Sequence, residues 1–180
     1  MWRRRHWLVH TAGSILAGWS GQRAWAQPAD VAAAEARAPA LPAIGVLWSV
    51  PPMERLDGTR FEPADTEGRV LVLYWWASTC PFCAVTSPHI EHFWRTHATQ
   101  PGWLLLGLSI DRTADAARRY LQQRGYTFPS AWVTPEVQRA MPKPKGLPIT
   151  LVRGRDGRIV MAERGQLFPE DVEGIARFLT

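Results

Sequence analysis

Apolar residues fall into short continuous runs along this chain, separated by turn residues and by stretches with helical spacing. Val70 to Trp76 and Trp103 to Ile110 are unbroken apolar runs rich in β-branched, leucine and aromatic residues, the pattern of strands buried on both faces of a parallel sheet. Before them, within Trp48 to Glu62, Asp57-Gly58 stands between extended residues (Leu56 to Phe61) and predicts a hairpin. Pro81 to about His97 reads as a helix with Pro at its first position, and Pro88 predicts a kink. Thr113 to Arg124 reads as a second helix, with Thr113 as its N-cap and Gly125 at its C-terminal end. Ser130 to Thr134 follows as a short strand, and Pro135 opens a short helix that ends before Pro142-Lys143-Pro144. Ile149 to Arg153 and Ile159 to Glu163 flank Asp156-Gly157 and predict an antiparallel pair. Pro169 starts a last amphipathic helix, with Val172, Ile175, Ala176 and Leu179 at helical spacing. No internal repeat is visible. Hairpin, β-α-β-α-β-α, then β-hairpin and helix describe an α/β domain, a central mixed sheet with helices on both faces.

The first 26 residues stand apart from this pattern. Arg3, Arg4 and Arg5 precede an apolar stretch from about Trp7 to Trp19, and Ala24-Trp25-Ala26 supplies a small-x-small cleavage pattern. Together they describe a secretory signal, and the stretch is shorter than the roughly 20 residues of a membrane span. An uncleaved anchor is the alternative. Arg4-Arg5-His6-Trp7-Leu8 also resembles the twin-arginine export pattern, beside an ordinary Sec signal. Residues 27–45 are mostly Ala and Pro and predict a flexible tether, with at most a marginal helix around Val31 to Ala38. Residues 46–180 form the folded domain.

Charge changes the picture only through that signal. The chain of 180 residues carries 21 Lys and Arg against 16 Asp and Glu, a formal net charge of +5. Four of the arginines and none of the acids precede Gln27, so cleavage leaves 154 residues with 17 basic against 16 acidic. No basic surface argues for nucleic acid.

The chemistry sits in the only two cysteines, Cys80 and Cys83, at the junction of strand and helix. Cys80 falls at about the helix N-cap, where unpaired N–H groups and the macrodipole favour a thiolate. Cys83 follows on the same helical face, within disulfide reach. A reversible dithiol/disulfide pair is the reading. A zinc site wants four ligands and no second pair exists. Haem attachment needs His after the second Cys, where Ala84 stands. A structural disulfide closing so short a loop would constrain the unfolded chain little. His89, His92 and His97 lie on the cysteine helix, with His89 and His92 at i, i+3, but no cysteine or carboxylate cluster joins them, and solvated helix positions are expected. No metal and no cofactor is predicted.

Trp76-Ala77-Ser78-Thr79-Cys80-Pro81-Phe82-Cys83 resembles the W-A-x-W-C-x-x-C segment of the exported TlpA/ResA group of thioredoxin-like disulfide reductases, with Thr79 in place of the second Trp. Pro88 stands where that group has its kinking proline. Gly146-Leu147-Pro148-Ile149-Thr150 is similar to its G-L-P-T-T, whose proline is cis beside the cysteines. The resemblance covers about Trp48 to Thr180. It implies a thioredoxin-like three-layer fold with an N-terminal β-hairpin and an inserted strand-helix segment from about Trp103 to Phe128. It also implies an exported, periplasmic protein, a monomer, that reduces disulfides of protein clients, as relatives do in cytochrome c maturation or copper-site assembly, with electrons from a membrane-bound thiol donor. In this reading Cys80 attacks, Cys83 resolves the mixed disulfide, and Pro148 exposes backbone for a client strand.

Two positions depart from the resemblance. Tyr74 stands six residues before the first Cys, where thioredoxin has a buried carboxylate, and Thr86 stands where many exported relatives have Glu. In the family such carboxylates manage the resolving thiol's proton, so here either water, a hydroxyl or another acid does so, or exchange is slower. Lys143 and Lys145 precede the proline loop; solvation is expected of them, with electrostatic support of the thiolate as the alternative. A peroxiredoxin would want Pro and Thr where Leu73 and Ala77 stand, and a thiol-based metal carrier is the non-enzymatic alternative.

Overall fold

Seven apolar residues in a row cannot all be buried on a two-faced strand unless both faces are covered. In the computed structural model, which describes residues 33 and 35–179, β3 (Val70–Trp76) is buried along its whole length. Its odd and even positions feed two separate cores. Val70, Val72, Tyr74 and Trp76 join Cys83, Ile90, Phe93, Ala117, Tyr120, Val172 and Ile175 on one face. Leu71, Leu73 and Trp75 join Val50, Met53, Phe61, Leu106, Val137 and Met141 on the other.

The remaining elements arrange themselves around that strand. The hairpin β1 (Met53–Glu54) and β2 (Arg60–Phe61) precedes it, turning at Gly58 with φ 84°. Then come α1 (Pro81–His97), β4 (Trp103–Ser109), α2 (Ala114–Arg124), β5 (Ser130–Trp132), α3 (Pro135–Ala140), β6 (Ile149–Arg153), β7 (Ile159–Arg164) and α4 (Pro169–Glu173). The five-stranded sheet has the order β5-β4-β3-β6-β7. β4 runs parallel to β3 and to β5, whereas β6 is antiparallel to β3 and to β7. Helices α1, α2 and α4 contribute to the first core; α3 and the hairpin contribute to the second. The molecule therefore has three layers, with the mixed sheet in the middle.

The caps of α2 fall where the sequence puts them, and a further cap appears at Thr134. Thr113 Oγ1 accepts the Ala116 N–H at 3.2 Å, Gly125 closes α2 with φ 67°, and Thr134 caps α3. Pro88 lies inside an unbroken α1. The last helix differs from expectation: α-helix ends at Glu173, and Gly174–Phe178 tightens to 3₁₀. Gly174, the poorest helix former of that stretch, sits at the junction, and its N–H bonds Glu170 O and Val172 O. Ile175 is buried within the tightened segment, as are Val172 before it and Leu179 just after it.

Residues 1–26, read as a signal, and the first part of 27–45 lie outside the described residues. The later part of that stretch touches the domain: Lys145 N–H donates to Pro39 O at 2.8 Å, Gly45 N–H to Ile159 O at 2.8 Å, and Leu41 packs on the second core. No helix among the described residues is long and apolar enough to cross a membrane.

Candidate active site

β3 delivers the chain to the carboxyl edge of its parallel pairing with β4, the usual place for chemistry in an open α/β sheet. There Ala77 O accepts the Cys80 N–H at 3.1 Å, and the chain turns into α1. Cys80 is the N-cap of α1, with φ −86° and ψ 115°, and its Sγ accepts the Cys83 N–H at 3.2 Å. A sulfur in this place takes the donor that a capping hydroxyl would otherwise satisfy. Pro81 occupies the first helical position, where its missing N–H costs nothing. Both thiols are free.

The two sulfurs have unlike surroundings. Cys80 is partly exposed, beside Phe82, which is 57 % exposed, while Cys83 is 0 % exposed. Burial pushes the Cys83 thiol far up, and the nearby Cys80 sulfur and the Asp111 charge add to the shift against an opposing Ala77 amide contact. Accessible sulfur outside, protonated sulfur inside: the arrangement suits one thiol that meets other molecules and one that meets only its neighbour.

Pro148 arrives from the antiparallel side. The Leu147–Pro148 peptide is cis, and Gly165 N–H donates to Pro148 O at 2.8 Å. Ile149 pairs with Trp75, so the register carried one residue further sets Pro148 across from Trp76, at the end of the sheet that bears the cysteines. The loop before it is held from inside. Lys143 is buried, and its Nζ donates to Pro144 O at 2.7 Å, Gly146 O at 2.9 Å and the Glu35 carboxylate at 3.2 Å. Glu35 also accepts the Gly146 N–H. This lysine is thus engaged with its own loop, unlike the solvated residue expected of the sequence.

The positions that depart from the resemblance hold hydroxyls engaged elsewhere. Tyr74 is fully buried; its hydroxyl lies 2.9 Å from Ser87 Oγ and donates to Cys83 O at 3.5 Å, and burial holds it neutral, far above its ordinary range. Thr86 Oγ1 accepts the Leu167 N–H at 3.2 Å, tying α1 to the start of α4. The histidines of α1 do not converge on the thiols: His92 and His97 each stand 3.9 Å from the Glu173 carboxylate. Among the described residues, no group of three or more His, Cys, Asp or Glu is placed to hold a metal.

Sequence reasoning passed over Asp111. It is 8 % exposed, two residues beyond β4, and its carboxylate accepts the Ser78 N–H at 3.0 Å, the Ser78 hydroxyl at 2.7 Å and the Ser109 hydroxyl at 2.9 Å. Its position just past the carboxyl end of a strand parallel to the cysteine-bearing one was the available signal. Tyr120 was missed as well; it packs on Trp76 with ring centroids 5.5 Å apart, and its buried hydroxyl has no hydrogen-bond partner among the described residues.

Sheet order, cysteine turn and proline loop together define a thioredoxin-fold protein with a two-cysteine site. The model of the AhpC/TSA family matches residues 46–159, and the chain belongs to that family. Among curated proteins it is similar to the thiol-disulfide oxidoreductase ResA of Bacillus thuringiensis, 24 % identical over 125 residues that cover 69 % of this chain and 72 % of the relative. Among solved structures it is similar to a thiol:disulfide interchange protein of the thioredoxin family from Chlorobium tepidum, with a TM-score of 0.67, 21 % identity, and 77 % and 98 % of the two chains covered. A secreted thiol-disulfide isomerase from Corynebacterium glutamicum superposes with a TM-score of 0.62 at 23 % identity, over 74 % of this chain and 83 % of the other.

Proposed function

We propose that this chain is an exported thiol–disulfide oxidoreductase that reduces disulfides of client proteins through Cys80 and Cys83. The carrying observation is the unequal pair: a partly exposed Cys80 sulfur at a helix N-cap backed by a fully buried Cys83 thiol. Cys80 as thiolate attacks one sulfur of the client disulfide; the client's other sulfur leaves with the bonding pair and takes a proton. Cys83 then attacks Cys80 Sγ, the second client sulfur leaves as thiol, and the Cys80–Cys83 disulfide remains. Two electrons and two protons pass to the client. A membrane-bound thiol protein restores the dithiol by the reverse exchange, since an exported compartment supplies no reducing pool.

Pro148, which has no N–H of its own and lies at the end of the sheet that bears the cysteines, is the position where an extended client segment docks. Apolar Phe82 and Val85, 57 % and 46 % exposed at i, i+3 on α1, offer the client a contact next to the sulfur. The charged leader with its Ala24-Trp25-Ala26 site supports export, as do secreted relatives of similar fold. By the resemblance, clients are proteins whose cysteines bind haem or copper. A peroxidase reading is not favoured, because Leu73 and Ala77 stand where the peroxidatic pattern wants Pro and Thr, and Leu73 is buried in mid-strand.

Cys83→Ser in an exported extract should trap clients as mixed disulfides through Cys80, because the resolving attack is lost. Recovery of no mixed disulfide, together with stoichiometric zinc or copper on the wild-type protein, would replace this reading with a metal-carrying one.

A further inference from the structure

The loop before Pro148 alternates proline and lysine, Pro142-Lys143-Pro144-Lys145, and ends in Gly146-Leu147. Such a sequence does not hold a loop by itself, because the prolines lack N–H groups and the ammonium groups favour water. Lys143 is nevertheless only 7 % exposed. An ammonium carries three donors, and here each has an acceptor: Pro144 O at 2.7 Å, Gly146 O at 2.9 Å and Glu35 Oε2 at 3.2 Å. The carbonyls leave the charge uncompensated, and Glu35 supplies the counter-charge that a buried cation requires.

Glu35 comes from the segment between leader and domain, 111 residues before Gly146 in sequence. Its other oxygen, Oε1, accepts the Gly146 N–H. Further along the same segment, Pro39 O accepts the Lys145 N–H at 2.8 Å. The tether thereby takes two successive amides of the loop as well as the lysine. On the opposite side Gly146, with φ 97°, lies against β7, where a Cβ would stand 2.6 Å from Arg164 Cδ. Beyond it, Pro148 O is fastened to the Gly165 N–H at 2.8 Å. The loop is clasped between β7 and the tether. We propose that Glu35 is a positioning residue for client docking: with Pro39 it latches the tether onto the loop before Pro148 and holds that loop in the place where a client strand pairs.

This rests on the oxidoreductase reading and deepens it. Glu35 meets no client; it acts through Lys143, Lys145 and Gly146. A loop already held in its docking shape loses less freedom when a client segment lies along it. Without the carboxylate, Lys143 turns toward water and the loop loosens around Gly146. The cysteine turn is held by other bonds, from Cys80 N–H to Ala77 O and from Cys83 N–H to Cys80 Sγ, and none of them includes the tether. The latch therefore separates disulfides that dock along the loop from disulfides that meet only the sulfur.

Two probes with the same leaving group read this difference. One is dipyridyl disulfide; the other is the extended peptide acetyl-Val-Thr-Cys-Val-Thr-amide, its thiol joined to thiopyridine. With each, Cys80 as thiolate attacks, and thiopyridine leaves with the bonding pair and takes a proton. Cys83 then attacks Cys80 Sγ and loses its proton to water, and the second thiol is released. Stopped-flow absorbance of the reduced protein gives a second-order rate constant for each probe. Glu35→Ala should lower the peptide-to-dipyridyl ratio about 3- to 10-fold, through a higher half-saturating peptide concentration. Glu35 is partly exposed and belongs to neither core, so this variant should fold. Lys143→Met removes the pair from the loop side and should lower the ratio likewise. A ratio in Glu35→Ala that matches wild type, an equal drop with both probes, or a drop confined to the limiting rate overturns the proposal. A wild-type protein that never releases the peptide thiol, its Cys80–Cys83 bond unformed, overturns the oxidoreductase reading instead.

Discussion

Replacing Glu91 should destabilise the domain by about 3 kcal/mol, for reasons that can be worked atom by atom. Glu91 lies on α1, two turns beyond Cys83, with a side chain 8 % exposed. It accepts the Thr127 N–H at 2.7 Å, the Thr127 hydroxyl at 2.8 Å and the Phe128 N–H at 3.0 Å, and it pairs with Arg95. Arg95 is 60 % exposed and returns to water at little cost, so the ion pair itself contributes well under 1 kcal/mol. Thr127 is exposed and can be rehydrated, but Phe128 is only 2 % exposed, and its N–H would be stranded. A stranded buried donor costs roughly 1–3 kcal/mol and each lost bond to a charged group roughly 1.5–3, partly recovered by water. The expected loss for Glu91→Ala is about 3 kcal/mol, or about 10 °C in Tm for a domain of this size.

The same carboxylate carries a pH signature. Burial by itself would push Glu91 up, yet the bonds from Arg95, Thr127 and Phe128 outweigh it and hold the group below its ordinary value. A depressed folded value means the stabilisation is full above the unfolded value of about 4.3 and disappears as pH falls through the lower folded one. Urea denaturation of wild type and Glu91→Gln should therefore show a constant gap at neutral and weakly acidic pH that narrows below about pH 4. A Glu91→Ala loss under about 1 kcal/mol, or a Glu91→Gln gap unchanged by acid, would refute the reasoning.

Among single-cysteine variants, Cys80 alone should alkylate at least about tenfold faster than Cys83 alone near neutral pH, because Cys83 is fully buried and its thiol is pushed up; iodoacetamide kinetics read the ratio, and equal rates would exchange or dissolve the assigned roles. Gly107→Ala should cost about 1–3 kcal/mol, since a Cβ there would stand 2.4 Å from Ser130 Oγ and 2.9 Å from Phe128 Cε2; a thermal melt within a degree of wild type would show that β5 gives way freely. A double-mutant cycle on Glu35→Gln and Lys143→Met should return a favourable coupling of about 1 kcal/mol, limited by the partly exposed Glu35. Zero coupling would mean that Lys143 relies on its loop carbonyls alone.

Much of the fold was readable because its signals are local. A continuous apolar run, a capping Thr113 and a Gly125 at positive φ each act within a few residues. The last helix was misread in its second half for a related reason: helical spacing marks which residues are buried, and Ile175 and Leu179 are still buried once the segment tightens to 3₁₀. Periodicity near three residues does not separate the two helices when a glycine sits between them.

The sequence by itself determined that two thiols face one another across the first turn of a helix, since a spacing of three and a proline at the second position leave the chain little choice. The resemblance already implied an exposed Cys80 and a shielded Cys83; what braces the cysteine turn, its helix and the proline loop was left open. Those depend on Asp111 reaching Ser78 from the end of β4, on Glu91 taking the amides of Thr127 and Phe128, and on Lys143 gripping the loop before Pro148 with Glu35 as its counter-charge. Each joins groups brought together only when the sheet closes, and a buried carboxylate or ammonium finds its partners by position in space, not by position in the chain.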